Sequence, residues 1–160
     1  MAKSKEEKTN VMRTLEQKKI PYTAHSYDPE GPIDGVSVAQ TLGQPPERVF
    51  KTLVTKGASG AYYVFDIPVA ENLDLKKAAR AVGEKSIAML PQKELLGLTG
   101  YVHGGCSPVG MKKQFPTVFH ETAAEYDTIC VSAGKIGYQV ECDPKALLTL
   151  LRAGTADIIV

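Results

Sequence analysis

Apolar residues recur along this chain with two different spacings, and the spacing predicts which segments are helices and which are strands. From Thr9 to Ile20 they recur about every 3.6 residues among charged residues, which predicts an amphipathic helix stopped by Pro21. Two β-rich runs, at 48–56 and 61–69, are separated only by the turn residues GASG. Their pattern predicts a β-hairpin.

The remaining segments predict shorter elements that interleave strands with helices. We expect Ser37 to cap a helix through Leu42, and Asp74 to cap another that Gly83 ends. Further strands are predicted at 22–27, 86–90, 117–120, 128–132 and 138–142, and further helices at 91–98 and 144–151. Because helices and strands alternate and a hairpin is also present, the predicted fold class is α/β (α+β), with a mixed sheet and helices packed outside it.

A lysine interrupts the first strand of the predicted hairpin. In an alternating strand Val49, Lys51, Leu53 and Thr55 share one face, so the lysine lies in line with residues of the core. Two interpretations stay open. The stem of Lys51 packs while its ammonium reaches water, or the ammonium points into a pocket.

Composition and charge restrict the class of protein. The chain has 160 residues, of which 43% are apolar and 23% charged, which fits one globular domain. No apolar run is long enough to span a membrane, and the N-terminal MAKSKEEK lacks the apolar region of a signal peptide, so we expect a cytoplasmic protein. The net charge of +1 means that a nucleic-acid partner has to be held by a local patch.

The most unusual segment is the glycine loop, Thr99–Lys113, with the sequence TGYVHGGCSPVGMKK. Gly104 and Gly105 let a partner approach the main chain closely, and Pro108 stiffens the end of that stretch. Such a loop offers N–H groups to a carbonyl or phosphate oxygen, with lysine charge nearby. A plain turn between strands is the alternative interpretation.

Conventional catalytic groups are not indicated. His103 and Cys106 are three residues apart in the glycine loop, but this spacing does not fix the geometry of a nucleophile and its base. Three cysteines without CxxC spacing favour reduced thiols and predict neither a disulfide framework nor a metal site. No phosphate-binding or cofactor motif is present, so any catalysis has to rely on positioning and backbone hydrogen bonds.

Four separated motifs resemble one known family. VFKTLV at 49–54, IPVAENLDLKKAARAVG at 67–83, the glycine loop, and VSAGKIG at 131–137 occur in the order seen in the YbaK/EbsC family, the free-standing relatives of the editing domain of bacterial prolyl-tRNA synthetases. The resemblance extends over nearly the whole chain, from Lys8 to the terminal ADIIV. It implies that residues 1–160 form a single editing domain with a mixed, barrel-like sheet.

The resemblance also implies an activity and a set of site residues. The activity is removal of a wrong amino acid from tRNA, as in Cys-tRNA(Pro) deacylases, without a cofactor and in contact with the tRNA acceptor end. Lys51 is then the essential basic residue, and Gly104 and Gly105 hold the aminoacyl carbonyl through their N–H groups. The expected substrate-binding residues are Tyr27, Thr52, Cys106, Ser107, Pro108, Ser132, Gly134 and Gln139.

In cysteine-specific members of this family the substrate's own thiol is thought to attack its ester, so that no nucleophile from the protein is needed. This chain departs from their pattern at two positions. Gln139 stands where those members carry an aspartate, and Ile33 stands where they carry a phenylalanine. The amino acid that is removed therefore stays open.

Two alternatives remain at this stage. The chain is either a deacylase for another mischarged tRNA, carrying alanine or serine, or a binding module that recognises the acceptor end or a nucleotide without cleavage. Prolyl-tRNA synthetase is a further partner that the resemblance allows, and the oligomeric state is left open.

Overall fold

The computed structural model describes residues 8–160. Most of the segment on which the absence of a signal peptide was predicted, residues 1–7, lies outside the described residues. The helices are α1 (Asn10–Gln17), α2 (Gly35–Leu42), α3 (Leu75–Val82), α4 (Gln92–Thr99) and α5 (Pro144–Leu151). The strands are β1 (Tyr22–Ser26), β2 (Phe50–Gly57), β3 (Tyr62–Pro68), β4 (Ile87–Met89), β5 (Thr117–His120), β6 (Ile129–Ser132), β7 (Tyr138–Cys142) and β8 (Gly154–Ala156).

The strands form two sheets. A three-stranded antiparallel sheet has the order β1-β7-β6, and a five-stranded mixed sheet has the order β4-β2-β3-β5-β8. Within residues 8–160, a single parallel bridge between Val49 and Cys130 links them. The predicted mixed sheet with outer helices is confirmed, but the sheets are not closed into a barrel.

The predicted hairpin is confirmed, since β2 and β3 pair antiparallel from Phe50 opposite Pro68 to Lys56 opposite Tyr62. Other predictions needed correction. The cap of α2 is Asp34, whose side chain accepts a hydrogen bond from Ser37 N, so Ser37 lies inside the first turn. Strand β8 was not predicted, because Gly-Thr-Ala has no apolar alternation and forms a strand only by pairing with β5.

Apolar packing fixes each sheet against its helices. The three-stranded sheet packs on α1 and α5, and the shared cluster includes Val11, Leu15, Val131 and Leu147, all fully buried. Helix α3 covers one face of the five-stranded sheet through a second cluster that contains Phe65 and Ile67 on β3 and Ala78 and Ala79 on α3. A fully buried large apolar side chain contributes about 1.5–3 kcal/mol, so these clusters hold the strands in fixed register.

The helices of the described segment are short. None of those in residues 8–160 combines the length and apolar character that crossing a membrane requires.

Candidate active site

A cavity of about 490 Å³ lies where the two sheets meet. Strand β4 pairs only with Thr55–Gly57, so the first half of β2 has no β4 neighbour on that edge. The cavity occupies this edge, between β2, the glycine loop and the ends of β6 and β7. The predicted site residues that line it are Tyr27, Lys51, Thr52, Gly104, Cys106, Ser132 and Gln139. The predicted residues outside its lining are Gly105, Ser107, Pro108 and Gly134.

Lys51 is half-buried and lines the cavity. Burial lowers the pKa of its ammonium, and the negative charge of Glu71 opposes that shift. No ion pair to Lys51 forms within residues 8–160. Lys51 thus brings to the cavity a charge that no acid within residues 8–160 pairs with, and its role towards a bound anion stays a prediction.

The main chain of β2 also faces the cavity. Val49 O accepts from Val69 N on the β3 side, whereas Val54 O accepts from Leu90 N on the opposite side. Because backbone groups alternate sides along a strand, the N–H and C=O of Thr52 point to the same open edge as those of Val54. Thr52 thus presents both its side chain and its backbone to this region.

Sequence analysis missed Asp66, which lies on β3 directly opposite Thr52. The Asp66 side chain is fully buried, and its Oδ1 accepts a hydrogen bond of 2.5 Å from Thr52 Oγ1. Its Oδ2 has no partner within the described residues. Burial raises the pKa of this carboxyl to about 8, and the hydrogen bond from Thr52 acts in the opposite direction. The available signal was a single acid inside the apolar run AYYVFDIPV.

The glycine loop is fixed mainly by its own contacts. Tyr101 OH donates to Val109 O at 2.5 Å, and Gly105 N donates to Val102 O at 3.0 Å. Gly105 is buried, and a Cβ there would lie 3.0 Å from Ile136 N. The glycine therefore permits close packing of the loop on the neighbouring turn, and its N–H, predicted to bind a substrate carbonyl, is occupied by Val102 in this structure.

Gly104 has a different environment. Its φ of +90° is favourable only for glycine, and a Cβ there would lie 3.0 Å from Cδ1 of Ile33, which also lines the cavity. Within the described part of the chain, no acceptor is hydrogen bonded to the N–H of Gly104 or to that of Cys106. Both residues line the cavity, so their N–H groups are available donors at its surface.

The remaining loop and turn residues support the walls from behind. Ser107 is fully buried and its Oγ accepts from Val109 N, and Pro108 is buried beside it. Gly134 N donates to Ser132 Oγ at 3.1 Å, and a Cβ on Gly134 would lie 3.0 Å from the Tyr101 ring. The structure thus places Ser107, Pro108 and Gly134 behind the walls, away from the lining.

The side chain of Gln139 contributes an amide to the cavity lining on the side of the three-stranded sheet. Gln139 is almost fully buried, lines the cavity, and accepts a 2.8 Å hydrogen bond at Oε1 from Gln44 Nε2. In this arrangement the NH₂ group of Gln139 is free to donate. The position therefore carries a neutral, held amide where the cysteine-specific pattern has a carboxylate.

Cys106 does not have the properties of an activated nucleophile. Burial, reinforced by the nearby carboxyl of Asp66, raises the pKa of its thiol to about 12. His103 lines the same cavity, but no hydrogen bond joins it to Cys106 within the described residues. A thiol that stays protonated at neutral pH attacks poorly, so this pair lacks the arrangement of a Cys/His catalytic centre.

One cluster outside the cavity contains three potential metal ligands. His25, Cys130 and Glu141 each bring a ligand atom within 4.8 Å of the others. His25 Nε2 and Glu141 Oε1 are 2.8 Å apart, and Thr128 Oγ1 donates to the other carboxylate oxygen. Burial raises the pKa of the Cys130 thiol to about 12. Hydrogen bonds within the protein therefore account for the His25–Glu141 pair.

Residues 34–150 match the model of the aminoacyl-tRNA editing domain family, and the chain belongs to this family. It is 49% identical over 160 residues to an Enterococcus faecalis protein named "Putative Cys-tRNA(Pro)/Cys-tRNA(Cys) deacylase EbsC", with 99% of this chain and 98% of the relative covered.

Two solved structures share the fold. One, described as a "putative trans-editing enzyme for prolyl tRNA synthetase", has a TM-score of 0.81 at 28% identity, with 94% of each chain covered. A hypothetical protein, APE2540, has a TM-score of 0.85 at 20% identity, covering 94% of this chain and 99% of its own. At 20% identity, the similarity to APE2540 shows a shared fold only.

Proposed function

We propose that this protein is a trans-editing aminoacyl-tRNA deacylase that most readily removes cysteine from Cys-tRNA(Pro). The observation that carries the proposal is that Lys51 and Gly104 line one cavity at the junction of the two sheets. A cation on one side suits the phosphate or ribose of the terminal nucleotide. Free N–H groups of the loop on another side suit the oxygen of the aminoacyl ester.

The proposed reaction uses the thiol of the substrate as its nucleophile. The cysteinyl sulfur attacks its own ester carbonyl carbon and forms a C–S bond, the C–O bond to the ribose breaks, and the departing ribose oxygen takes up the proton that the thiol loses. Water later opens the resulting thiolactone. Cys106 is not required as nucleophile, in keeping with the raised pKa of its thiol.

Under this proposal the protein contributes orientation and charge stabilisation. A well-oriented internal nucleophile gains about 7–11 kcal/mol relative to a free one. One donor aimed at the developing oxyanion contributes about 3–4 kcal/mol. The free N–H groups of Gly104 and Cys106 are the proposed donors, and Lys51 is the proposed anchor for the nucleotide. Tyr27, Thr52 and Ser132 are proposed to contact the rest of the bound terminus.

A second candidate substrate follows from the amide at Gln139. A neutral NH₂ donor in place of a carboxylate favours an amino acid whose side chain accepts a hydrogen bond or makes none. Ser-tRNA and Ala-tRNA are the corresponding substrates. They lack a thiol, so their release would require a water molecule as nucleophile.

We further propose that residues 1–160 act as a single editing domain and that aminoacyl-tRNA is the physiological partner. Because charged tRNA is used in the cytoplasm, we place the reaction there. Docking on prolyl-tRNA synthetase is a further proposal, which the size of complexes formed with and without tRNA would test.

The decisive experiment offers the purified protein Cys-, Ala-, Ser- and Pro-tRNA in separate reactions and follows release of the amino acid. We expect rapid release from Cys-tRNA. Release of alanine or serine without cysteine would contradict the thiol-assisted reaction, and no release from any tRNA would favour a binding module. Homocysteinyl-tRNA, in which the thiol lies one carbon farther away, tests the internal attack through its ring-closed product.

A further inference from the structure

A buried acid without an assigned role lies directly behind the cavity wall. Asp66 belongs to β3, an inner strand flanked by β2 and β5, and its side chain is fully buried. It does not itself line the cavity, but its hydrogen-bond partner Thr52 does. Within the described residues, Thr52 is the hydrogen-bonded link between Asp66 and the cavity.

The two oxygens of Asp66 have unequal surroundings. Oδ1 is 2.5 Å from Thr52 Oγ1, whereas Oδ2 has no hydrogen-bond partner within residues 8–160. A buried carboxylate with one unpartnered oxygen is costly, because the charge has lost its water without full compensation. The site therefore favours the neutral acid, and burial correspondingly raises the Asp66 pKa to about 8.

The protonation state of Asp66 determines which oxygen donates. If Asp66 is ionised, it can only accept, so the Thr52 hydrogen points inward and Thr52 offers only lone pairs to the cavity. If Asp66 is protonated, a proton on Oδ2 has no acceptor, whereas a proton on Oδ1 can be donated to Thr52 Oγ1. In that second state the Thr52 hydrogen is free to point into the cavity.

We propose that Asp66 is a positioning residue which makes the Thr52 hydroxyl a hydrogen-bond donor to the bound aminoacyl-tRNA terminus. This inference rests on the proposed function of the cavity. Phosphate and ester carbonyl oxygens of such a terminus accept hydrogen bonds and cannot donate them, so towards these oxygens the donating orientation of Thr52 is the productive one. Above the pKa of Asp66 the hydroxyl turns inward and this contact is lost.

The other groups packed around Asp66 leave the hydrogen bond between Asp66 and Thr52 to determine how activity responds to pH. Thr52 faces it from β2, Phe119 occupies the paired position on β5, and the thiol of Cys106 approaches from the glycine loop. The Cys106 thiol stays neutral, since its own pKa is raised to about 12. Lys51 extends from the opposite face of β2 and interacts with Glu71.

The test compares Asp66→Asn with the wild-type protein across about pH 6 to 9, using release from Cys-tRNA corrected for spontaneous hydrolysis. The ratio of kcat/KM for Asp66→Asn to kcat/KM for wild type does not depend on the titration of the substrate thiol, because both proteins act on the same substrate. Asparagine donates from its NH₂ group at every pH, so we expect a ratio near 1 at neutral pH. One pH unit above the wild-type pKa, the variant should be faster by about tenfold. A ratio that stays constant across the range would overturn the inference.

Three further variants separate positioning from a structural role. Thr52→Val should lose activity at neutral pH and should make the Asp66→Asn substitution silent when the two are combined, whereas Thr52→Ser should restore the pH-dependent ratio. An Asp66→Asn effect that persists in the Thr52→Val background would contradict the inference. Asp157→Asn removes an exposed acid outside the cavity, and its ratio to wild type should be 1 at every pH.

A measurement without substrate distinguishes failure of this inference from failure of the proposed function. The pKa of Asp66 is raised in the folded state, so its contribution to stability is complete at low pH and is lost as pH rises towards about 8. Thermal unfolding should therefore show a decline in wild-type Tm over that range that Asp66→Asn lacks. A Tm difference that does not vary with pH would overturn the protonation of Asp66. No turnover of any tRNA would overturn the proposed function and the role of Thr52 towards substrate with it.

Discussion

Two neighbouring residues of β2 give the cavity two unlike walls. Lys51 is half-buried and carries a charge that no ion pair within the described residues neutralises. Thr52 lies on the other face of the strand, where it is backed by the fully buried Asp66 and by the protonated thiol of Cys106. One wall is charged and attracts anions, and the other is uncharged at neutral pH.

This difference assigns different tasks to the two walls. An ammonium can attract a phosphate over several ångströms and tolerates small changes of geometry. A hydroxyl held by a buried acid acts only at hydrogen-bond distance, and its direction matters. The charged wall is therefore expected to bind the nucleotide, and the neutral wall to orient the group that reacts.

The strongest test of the charged wall is Lys51→Ala. We expect kcat/KM for Cys-tRNA to fall by about 10²–10³-fold, because the main electrostatic contact to the substrate is lost. Lys51→Met retains the apolar stem and should fall equally. Lys56→Ala, on the same strand but exposed outside the cavity, serves as the matched control. Turnover of Lys51→Ala within a few-fold of wild type would show that the charge of Lys51 does not bind the substrate.

The second test concerns the loop that closes the cavity. In Gly105→Ala the new methyl group meets Ile136 N at 3.0 Å, so we expect a loss of about 1–3 kcal/mol in the free energy of unfolding, measured by denaturant titration. Gly97→Ala is the matched control, since nothing lies within 4 Å of that site on α4. There the change should stabilise the protein by about 0.5–1 kcal/mol. Equal effects at both sites would argue against close packing at Gly105.

The third test concerns Gln139, which lines the cavity from the three-stranded sheet. Gln139→Leu removes the hydrogen bond from Gln44 and leaves a buried amide without its partner. We expect a loss of about 1 kcal/mol in stability and a change in the relative release of cysteine, alanine and serine. An unchanged preference would mean that the amide does not contact the side chain of the amino acid.

The smallest effect is expected for Cys106→Ala. Its thiol is protonated at neutral pH, so kcat/KM for Cys-tRNA should fall by less than about fivefold, reflecting lost packing only. Single-turnover rates on Cys-tRNA measure this directly. Complete inactivation would restore Cys106 as a nucleophile and remove the need for the thiol of the substrate.

Local signals in the sequence were sufficient for most of the elements. The hairpin of β2 and β3, the capping of α3 by Asp74, and the position of Lys51 in an apolar strand depend on neighbours in the chain, and sequence patterns record such neighbours. Strand β8 depends on tertiary pairing with β5, and the cap of α2 depended on a choice between Asp34 and Ser37, both of which are common cap residue types. Such features are not visible in periodicity.

The candidate site was predictable only in part, because motifs identify residues but do not show their tertiary contacts. Motif resemblance pointed to Lys51, Gly104 and Gln139, which the structure brings to one cavity. It could not separate Gly104 from Gly105, because a free N–H and an N–H occupied by Val102 look identical in sequence. Asp66 was missed because its importance arises from the strand register that puts it opposite Thr52.

The single bridge between Val49 and Cys130 has a consequence for the behaviour of the whole molecule. Lys51 belongs to one sheet, whereas Ser132 and Gln139 belong to the other, and all three border the same cavity. A ligand that touches both sides acts as a temporary crosslink across a seam that has little backbone bonding of its own. Occupancy should therefore slow amide hydrogen exchange at the seam more than in either sheet interior.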